Sequence, residues 1–92
     1  MNRRKVKVYY SGRVQGVGFR YTVKFVATGY EVVGLVKNLD DGRVELVAEG
    51  EKLELESFLE GIRKSGVGHF IRNEGIAWND DLEEFKGFKI SS

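Results

Sequence analysis

A glycine-rich segment, Gly12–Arg20 (GRVQGVGFR), lies between two stretches of different periodicity. The residues before it, Val6–Tyr10, alternate between apolar and polar types, as expected of a half-buried strand. The apolar residues after it recur at helical spacing, at Phe19, Val23, Val26, Ala27 and Tyr30. The sequence therefore predicts a glycine-rich loop that leads from a strand into an amphipathic helix.

Such a loop is suited to a small anion such as phosphate. Glycines let backbone N–H groups approach a ligand closely, and a helix N-terminus offers unpaired N–H groups and the positive end of a dipole. Arg20 is expected in the first helical turn, where its guanidinium could add charge-assisted hydrogen bonds. On these features alone, an ordinary turn beside an exposed arginine fits equally well, because Gly12–Arg20 matches neither G-x-G-x-x-G nor G-K-[ST].

The residues of Gly12–Arg20 resemble the phosphate-binding signature of the acylphosphatase family, G-x-V-Q-G-V-x-F-R. A second segment, Gly34–Glu45 (GLVKNLDDGRVE), is similar to another motif of that family, G-x-V-x-N-x-x-D-G-x-V-E. The two motifs occur in the family's order and at its separation, which argues against chance agreement. The resemblance runs from Val6 to Ile90 and is strongest over Gly12–Glu49.

The resemblance implies an enzyme that hydrolyses the carboxyl-phosphate bond of small acyl phosphates to a carboxylate and inorganic phosphate. It implies catalytic roles for Arg20 and Asn38, with Asn38 orienting the attacking water. The phosphate-binding residues that it implies are Gln15, Gly16, Val17, Gly18, Phe19 and Arg20. No metal or cofactor is expected, and inorganic phosphate is expected to be an inhibitor as well as a product. Without the resemblance, Asn38 is more simply a strand-end residue bonded to the adjacent turn.

The sequence departs from the family at three places. Leu35 stands where tryptophan is common, and Leu39 stands where a polar residue often supports the asparagine. The segment after the second predicted helix lacks the usual Gly-Pro. These departures concern packing and the limits of the fourth strand, and they leave Arg20 and Asn38 unchanged.

The periodicity of the whole chain predicts a β-α-β-β-α-β order with a trailing strand. The predicted strands are Lys5–Ser11, Glu31–Asn38, Arg43–Glu49, a fourth within His69–Trp78, and a short last one around Phe85, Phe88 and Ile90. The predicted helices end near Thr28 and Lys64, and Gly50 is expected to end the third strand. This order is typical of an α+β, ferredoxin-like βαββαβ sandwich, with two helices on one face of an antiparallel sheet. The acylphosphatase family has that fold.

Composition narrows the remaining possibilities. The 92 residues suit one small domain, and we expect a single acylphosphatase-like domain over residues 1–92. A net charge of +1 argues against a nucleic-acid partner, and no apolar run approaches the length of a membrane span. The absence of cysteine fits a reducing compartment, and a cytoplasmic location is expected. The chain is also expected to be a monomer. His69 is the only histidine, which argues against a zinc site, and Asp40 and Asp41 beside Gly42 are interpreted as turn residues.

Two binding modules of the same topology are alternatives to an enzyme. An RNA-binding domain would stack bases on aromatic residues of a central strand, but Arg43–Glu49 contains no aromatic residue. A non-catalytic phosphate or effector-binding domain could share the loop without needing Asn38. The second alternative stays open on the sequence.

Overall fold

The computed structural model describes residues 2–91. Its two helices are α1 (Phe19–Ala27) and α2 (Lys52–Arg63), and a short 3-10 turn follows at Gly68–Phe70. The strands are β1 (Arg3–Gly12), β2 (Val32–Asn38), β3 (Val44–Glu51), β4 (Ile71–Asn79) and β5 (Phe88–Ser91). The order is the predicted βαββαβ with a trailing strand, and the ferredoxin-like α+β fold is confirmed.

The five strands form one sheet in the order β4-β1-β3-β2-β5. β1 runs antiparallel to β3 and β4, and β2 runs antiparallel to β3. β5, however, pairs in parallel with β2, so the sheet is mixed and the prediction of a purely antiparallel sheet was wrong in this detail. The reason is that residues 80–87 carry the chain from β4 at one edge to the other edge, where β5 enters alongside β2.

One face of the sheet carries both helices and the hydrophobic core. The alternation predicted for the strands is confirmed on this face by the buried residues Val6, Val8, Tyr10, Val44, Leu46 and Ala48. The helices bury Phe19, Val23, Ala27, Leu55, Phe58, Leu59 and Ile62 against them. Full burial of one large apolar side chain contributes about 1.5–3 kcal/mol, so this layer is the main stabilising element of the fold.

Several boundaries differ from those predicted. β3 continues through Gly50 to Glu51, because Gly50 pairs with Arg4 on one side and Val32 on the other. His69 is exposed in the 3-10 turn and lies just before β4, which begins at Ile71.

The opposite face of the sheet is partly covered by residues 80–87. The carboxylate of Glu49, fully buried on β3, accepts hydrogen bonds from the backbone N–H groups of Glu83, Glu84 (3.0 Å) and Phe85 (3.4 Å). Lys5 adds an ion pair to Glu83 at 3.1 Å. These contacts fix the path of the segment that delivers β5 to the sheet.

Candidate active site

The carboxyl ends of β1, β2 and β5 meet at one end of the sheet. Tyr10 near the end of β1 and Asn38 at the end of β2 both pair with Val44. Ser91 at the end of β5 pairs with Lys37, the residue before Asn38. The glycine-rich loop therefore leaves the sheet beside the strand end that carries Asn38.

The loop between β1 and α1 is anchored to the core and open on its outer side. The side chain of Val14 is buried, and that of Val17 packs against the core. Gly16 (φ 79°) and Gly18 (φ 78°) both adopt left-handed conformations, which residues with a Cβ rarely occupy. A Cβ added at either position would find no atom within 4 Å, so glycine is needed here for conformation and not for space.

The first backbone N–H groups of helix α1 have no acceptor within the helix. The first hydrogen bond of its ladder is from the N–H of Thr22 to the carbonyl of Gly18, at 3.0 Å, and Gly18 provides no side-chain cap. The first turn contains no acidic residue. Phe19 fixes the start of the helix by packing its ring 5.1 Å from that of Tyr10. The N-terminus thus offers N–H groups and a positive dipole end to an anion.

Arg20 lies in that first turn and is half-buried. Its Nη1 donates a hydrogen bond to the carbonyl of Ser91 at 3.4 Å. Because Ser91 is in register with Lys37, this contact brings the guanidinium to the end of the sheet that carries Asn38. Within residues 2–91, no carboxylate forms an ion pair with Arg20. The arginine charge is therefore available to an anion.

The side-chain amide of Asn38, the last residue of β2, has a buried oxygen. Its Oδ1 has no hydrogen-bond partner among the residues that the structure describes. Leaving a buried polar atom unsatisfied costs about 1–3 kcal/mol, so such an atom calls for an explanation. An amide held at this strand end has an acceptor left for a water molecule or a ligand.

Gln15 connects the loop to the β2–β3 hairpin. Its Nε2 donates hydrogen bonds to the carbonyls of Leu39 (2.8 Å) and Arg43 (2.9 Å). The N–H of Leu39 also donates to the carbonyl of Arg43 at 2.8 Å, which closes the hairpin. The side chain of Gln15 thus holds the residue next to Asn38, and its Nε2 is engaged within the fold. This connection was missed in the sequence because its acceptors are main-chain carbonyls.

Charged and aromatic side chains stiffen the same hairpin. The carboxylate of Asp41 accepts from the N–H (3.1 Å) and Nε (2.9 Å) of Arg43, and the backbone bond is the main cause that lowers the pKa of Asp41. The Arg43 guanidinium lies 4.8 Å from the centre of the Tyr9 ring. The Tyr9 hydroxyl donates to Glu45 at 2.7 Å, and this bond raises the pKa of Tyr9. Asp41 is thus a turn residue, as predicted.

Across residues 2–91, no group of three or more His, Cys, Asp or Glu side chains is placed to hold a metal ion. None of the helices in that range is long and apolar enough to cross a membrane.

The fold defines a small α+β domain in which the glycine-rich strand-to-helix loop, Arg20 and Asn38 lie at one end of the sheet. The acylphosphatase family model matches residues 6–90, and the chain belongs to the acylphosphatase family. An acylphosphatase of Bacillus velezensis is 45% identical over 80 residues (87% of this chain, 89% of the relative). One of Listeria welshimeri is 57% identical over 81 residues (87% of each).

A solved structure agrees with these relatives. The crystal structure of acylphosphatase from Bacillus subtilis is similar to this chain with a TM-score of 0.89 and 38% identity, covering 97% of this chain and 99% of that one. Together these relationships show an enzyme of the acylphosphatase type, whose family hydrolyses acyl phosphates.

Proposed function

We propose that the chain hydrolyses small acyl phosphates without a metal, binding phosphate through Gln15–Arg20 and orienting water through Asn38. The observation that carries the proposal is the buried Oδ1 of Asn38, which has no hydrogen-bond partner within residues 2–91 and lies at the strand end that the loop and Arg20 also reach. A purely structural asparagine would be expected to satisfy this oxygen within the fold.

The phosphoryl group is bound by backbone N–H groups and one guanidinium. Phosphoryl transfer passes through a loose transition state with charge on the equatorial oxygens, so catalysis needs mainly positioning and charge stabilisation. The amides of Gln15, Gly16, Val17, Gly18 and Phe19 surround these oxygens, and the dipole of α1 adds to their effect. Arg20 supplies the full positive charge from the first turn of the helix.

Water attacks phosphorus, and the bond between phosphorus and the acyl oxygen breaks. The Oδ1 of Asn38 accepts a hydrogen bond from the water and fixes its direction. An amide cannot take up a proton as a base, so the proton passes to a phosphoryl oxygen of the substrate. The leaving carboxylate has a pKa of about 4, so it departs without protonation by a general acid.

Inorganic phosphate presents the same oxygens to the loop as the substrate does. It is therefore proposed to be a competitive inhibitor as well as the product. The positive charge of the site comes from Arg20 and the amides, so we propose that no metal is needed. The monomeric state and the cytoplasmic location expected from the sequence stay predictions.

Hydrolysis in ¹⁸O-labelled water tests the direction of attack. With acetyl phosphate as substrate, mass spectrometry should find the label in inorganic phosphate and none above background in acetate. Label in acetate would mean attack at the carbonyl carbon and would contradict the proposed role of the loop. If the protein binds phosphate but releases none from acetyl phosphate, the alternative of a non-catalytic phosphate-binding domain is correct.

A further inference from the structure

An open cleft lies at the start of the glycine-rich loop, where β1 ends and β4 begins. Its volume is about 520 Å³, and its lining residues are Ser11, Gly12, Arg13 and Arg72. The side chains of both arginines are exposed. The cleft thus presents two guanidinium groups beside the loop that is proposed to bind phosphate.

The backbone packing at this point is tight. The N–H of Arg13 donates to the carbonyl of Phe70 at 3.1 Å, and Gly12 pairs with Ile71. A Cβ added to Gly12 would lie only 2.8 Å from the backbone nitrogen of Arg72, so only glycine allows this approach. The absence of a side chain at Gly12 is therefore what brings the beginning of β4, and with it Arg72, against the start of the loop.

The positive charge of this cleft is not balanced by neighbouring carboxylates. Over residues 2–91, neither Arg13 nor Arg72 forms an ion pair, whereas each of three other arginines does. Those pairs are Arg4–Asp80, Arg43–Asp41 and Arg63–Glu74. The acid nearest to Arg72 along β4 is Glu74, and Arg63 already holds it at 2.8 Å. A local excess of positive charge attracts anionic ligands.

We propose that this cleft is a subsite for a second anionic group, a carboxylate or a phosphate, on the acyl half of the substrate. The inference rests on the proposed function, since the transferred phosphoryl group occupies the loop. Arg13 precedes Gln15 by two residues, so the cleft begins where the phosphate-binding residues begin. Guanidinium groups bind carboxylates and phosphates in bidentate fashion, and the hydroxyl of Ser11 can donate a further hydrogen bond. The preferred substrates are therefore acyl phosphates with a second negative charge.

Two matched substrates test the subsite. Succinyl phosphate and butanoyl phosphate share a four-carbon chain and differ only in a terminal carboxylate or methyl group. We expect a higher kcat/KM for succinyl phosphate, by about two- to fivefold for each arginine involved, the range of an exposed ion pair. Raising the NaCl concentration should reduce this preference, because salt screens exposed charges. A third substrate is an acyl phosphate of the same carbon-chain length with a terminal phosphate ester in place of the carboxylate. Comparing its kcat/KM with that of succinyl phosphate shows which anion the cleft prefers.

Variants of Arg72 assign the preference to the cleft. Arg72→Gln should lower the ratio of the two kcat/KM values by about two- to fivefold and leave butanoyl phosphate hydrolysis unchanged. Arg72→Lys, which keeps the charge, should retain most of the preference. The control is Arg3→Gln, an exposed arginine at the other end of β1, which should not change the ratio.

Two results would overturn the subsite. They are equal kcat/KM values for the two substrates at low salt, or an unchanged ratio of these values in Arg72→Gln, which includes an equal loss on both substrates. These results leave hydrolysis of butanoyl phosphate by the parent protein intact, so they contradict the subsite alone. A parent protein that hydrolyses neither substrate would contradict the proposed function itself.

Discussion

The side-chain nitrogen of Gln15 lies 2.8 Å from the carbonyl oxygen of Leu39, the residue that follows Asn38. With the second bond to Arg43, the loop and the β2–β3 hairpin are held together by one side chain. In the proposed mechanism the loop holds the phosphoryl group and the hairpin holds the water-orienting amide. The relative position of the two reactants then depends on Gln15.

Gln15→Met keeps the length of this side chain and removes both donors. We expect kcat to fall by about tenfold, the effect of losing one or two net hydrogen bonds. The inhibition constant of phosphate should change little, since the backbone amides remain. Steady-state kinetics with acetyl phosphate and phosphate measure both values.

A double-mutant cycle separates this coupling from a direct effect on phosphate. If Gln15 acts by placing Asn38, then adding Gln15→Met to Asn38→Ala should lower kcat hardly any further. If Gln15→Met lowered kcat by the same factor in the parent protein and in Asn38→Ala, Gln15 would act independently of Asn38.

Arg20 is expected to contribute to binding and to catalysis together. Arg20→Ala removes a charge that contacts phosphate in both the ground state and the transition state, so it should weaken phosphate inhibition. It should also lower kcat/KM by about a hundredfold or more, as when a preorganised charge-stabilising group is lost. The kcat/KM of Arg20→Lys should lie between the values of the parent protein and Arg20→Ala, because lysine keeps the charge without the bidentate geometry. If phosphate inhibited Arg20→Ala with the same inhibition constant as the parent protein, Arg20 would be excluded from the phosphate site.

Chelation tests the proposal that no metal takes part. Because Arg20 and the loop amides supply the positive charge, activity should be unchanged after dialysis against EDTA and in assays that contain it. Activity that disappears with EDTA and returns with Mg²⁺ would contradict this part of the mechanism.

Glu49 is expected to stabilise the fold through residues 80–87. Its buried carboxylate accepts three backbone N–H bonds, and Glu49→Gln would replace one acceptor oxygen with an NH₂ group that faces those donors. We expect a loss of about 1–3 kcal/mol in the free energy of unfolding, measured by urea denaturation. Glu51→Gln, an exposed change in the same strand, is the control. Equal urea midpoints for Glu49→Gln and Glu51→Gln would show that the Glu49 carboxylate does not hold residues 80–87.

The catalytic candidates and most of the fold could be predicted from local sequence. The alternation in Val6–Tyr10 placed the correct residues in the core, and the motif of Gly12–Arg20 predicted a strand-to-helix loop. The positions of Arg20 and Asn38 at one end of the sheet follow from that topology. Their roles stay predictions until the variants are measured.

The features that were missed depend on contacts between distant parts of the chain. Gln15 reaches main-chain carbonyls 24 and 28 residues away, and any residue type can supply a carbonyl. The segment that leads to the parallel strand β5 is bound by Glu49, which looks like an ordinary surface glutamate in the sequence but is fully buried.

Asn38 is proposed to orient the attacking water, and the kcat of Asn38→Ala measures that role. Thermal melts must accompany the kinetics, since Asn38 ends β2 beside the hairpin. We expect Asn38→Ala to stay folded, because the Oδ1 of Asn38 has no partner to lose among the described residues. We expect kcat with acetyl phosphate to fall by about a hundredfold or more, the effect of losing one preorganised polar group, while phosphate inhibits as before. A folded Asn38→Ala protein that hydrolyses acetyl phosphate at the parent rate would contradict this role.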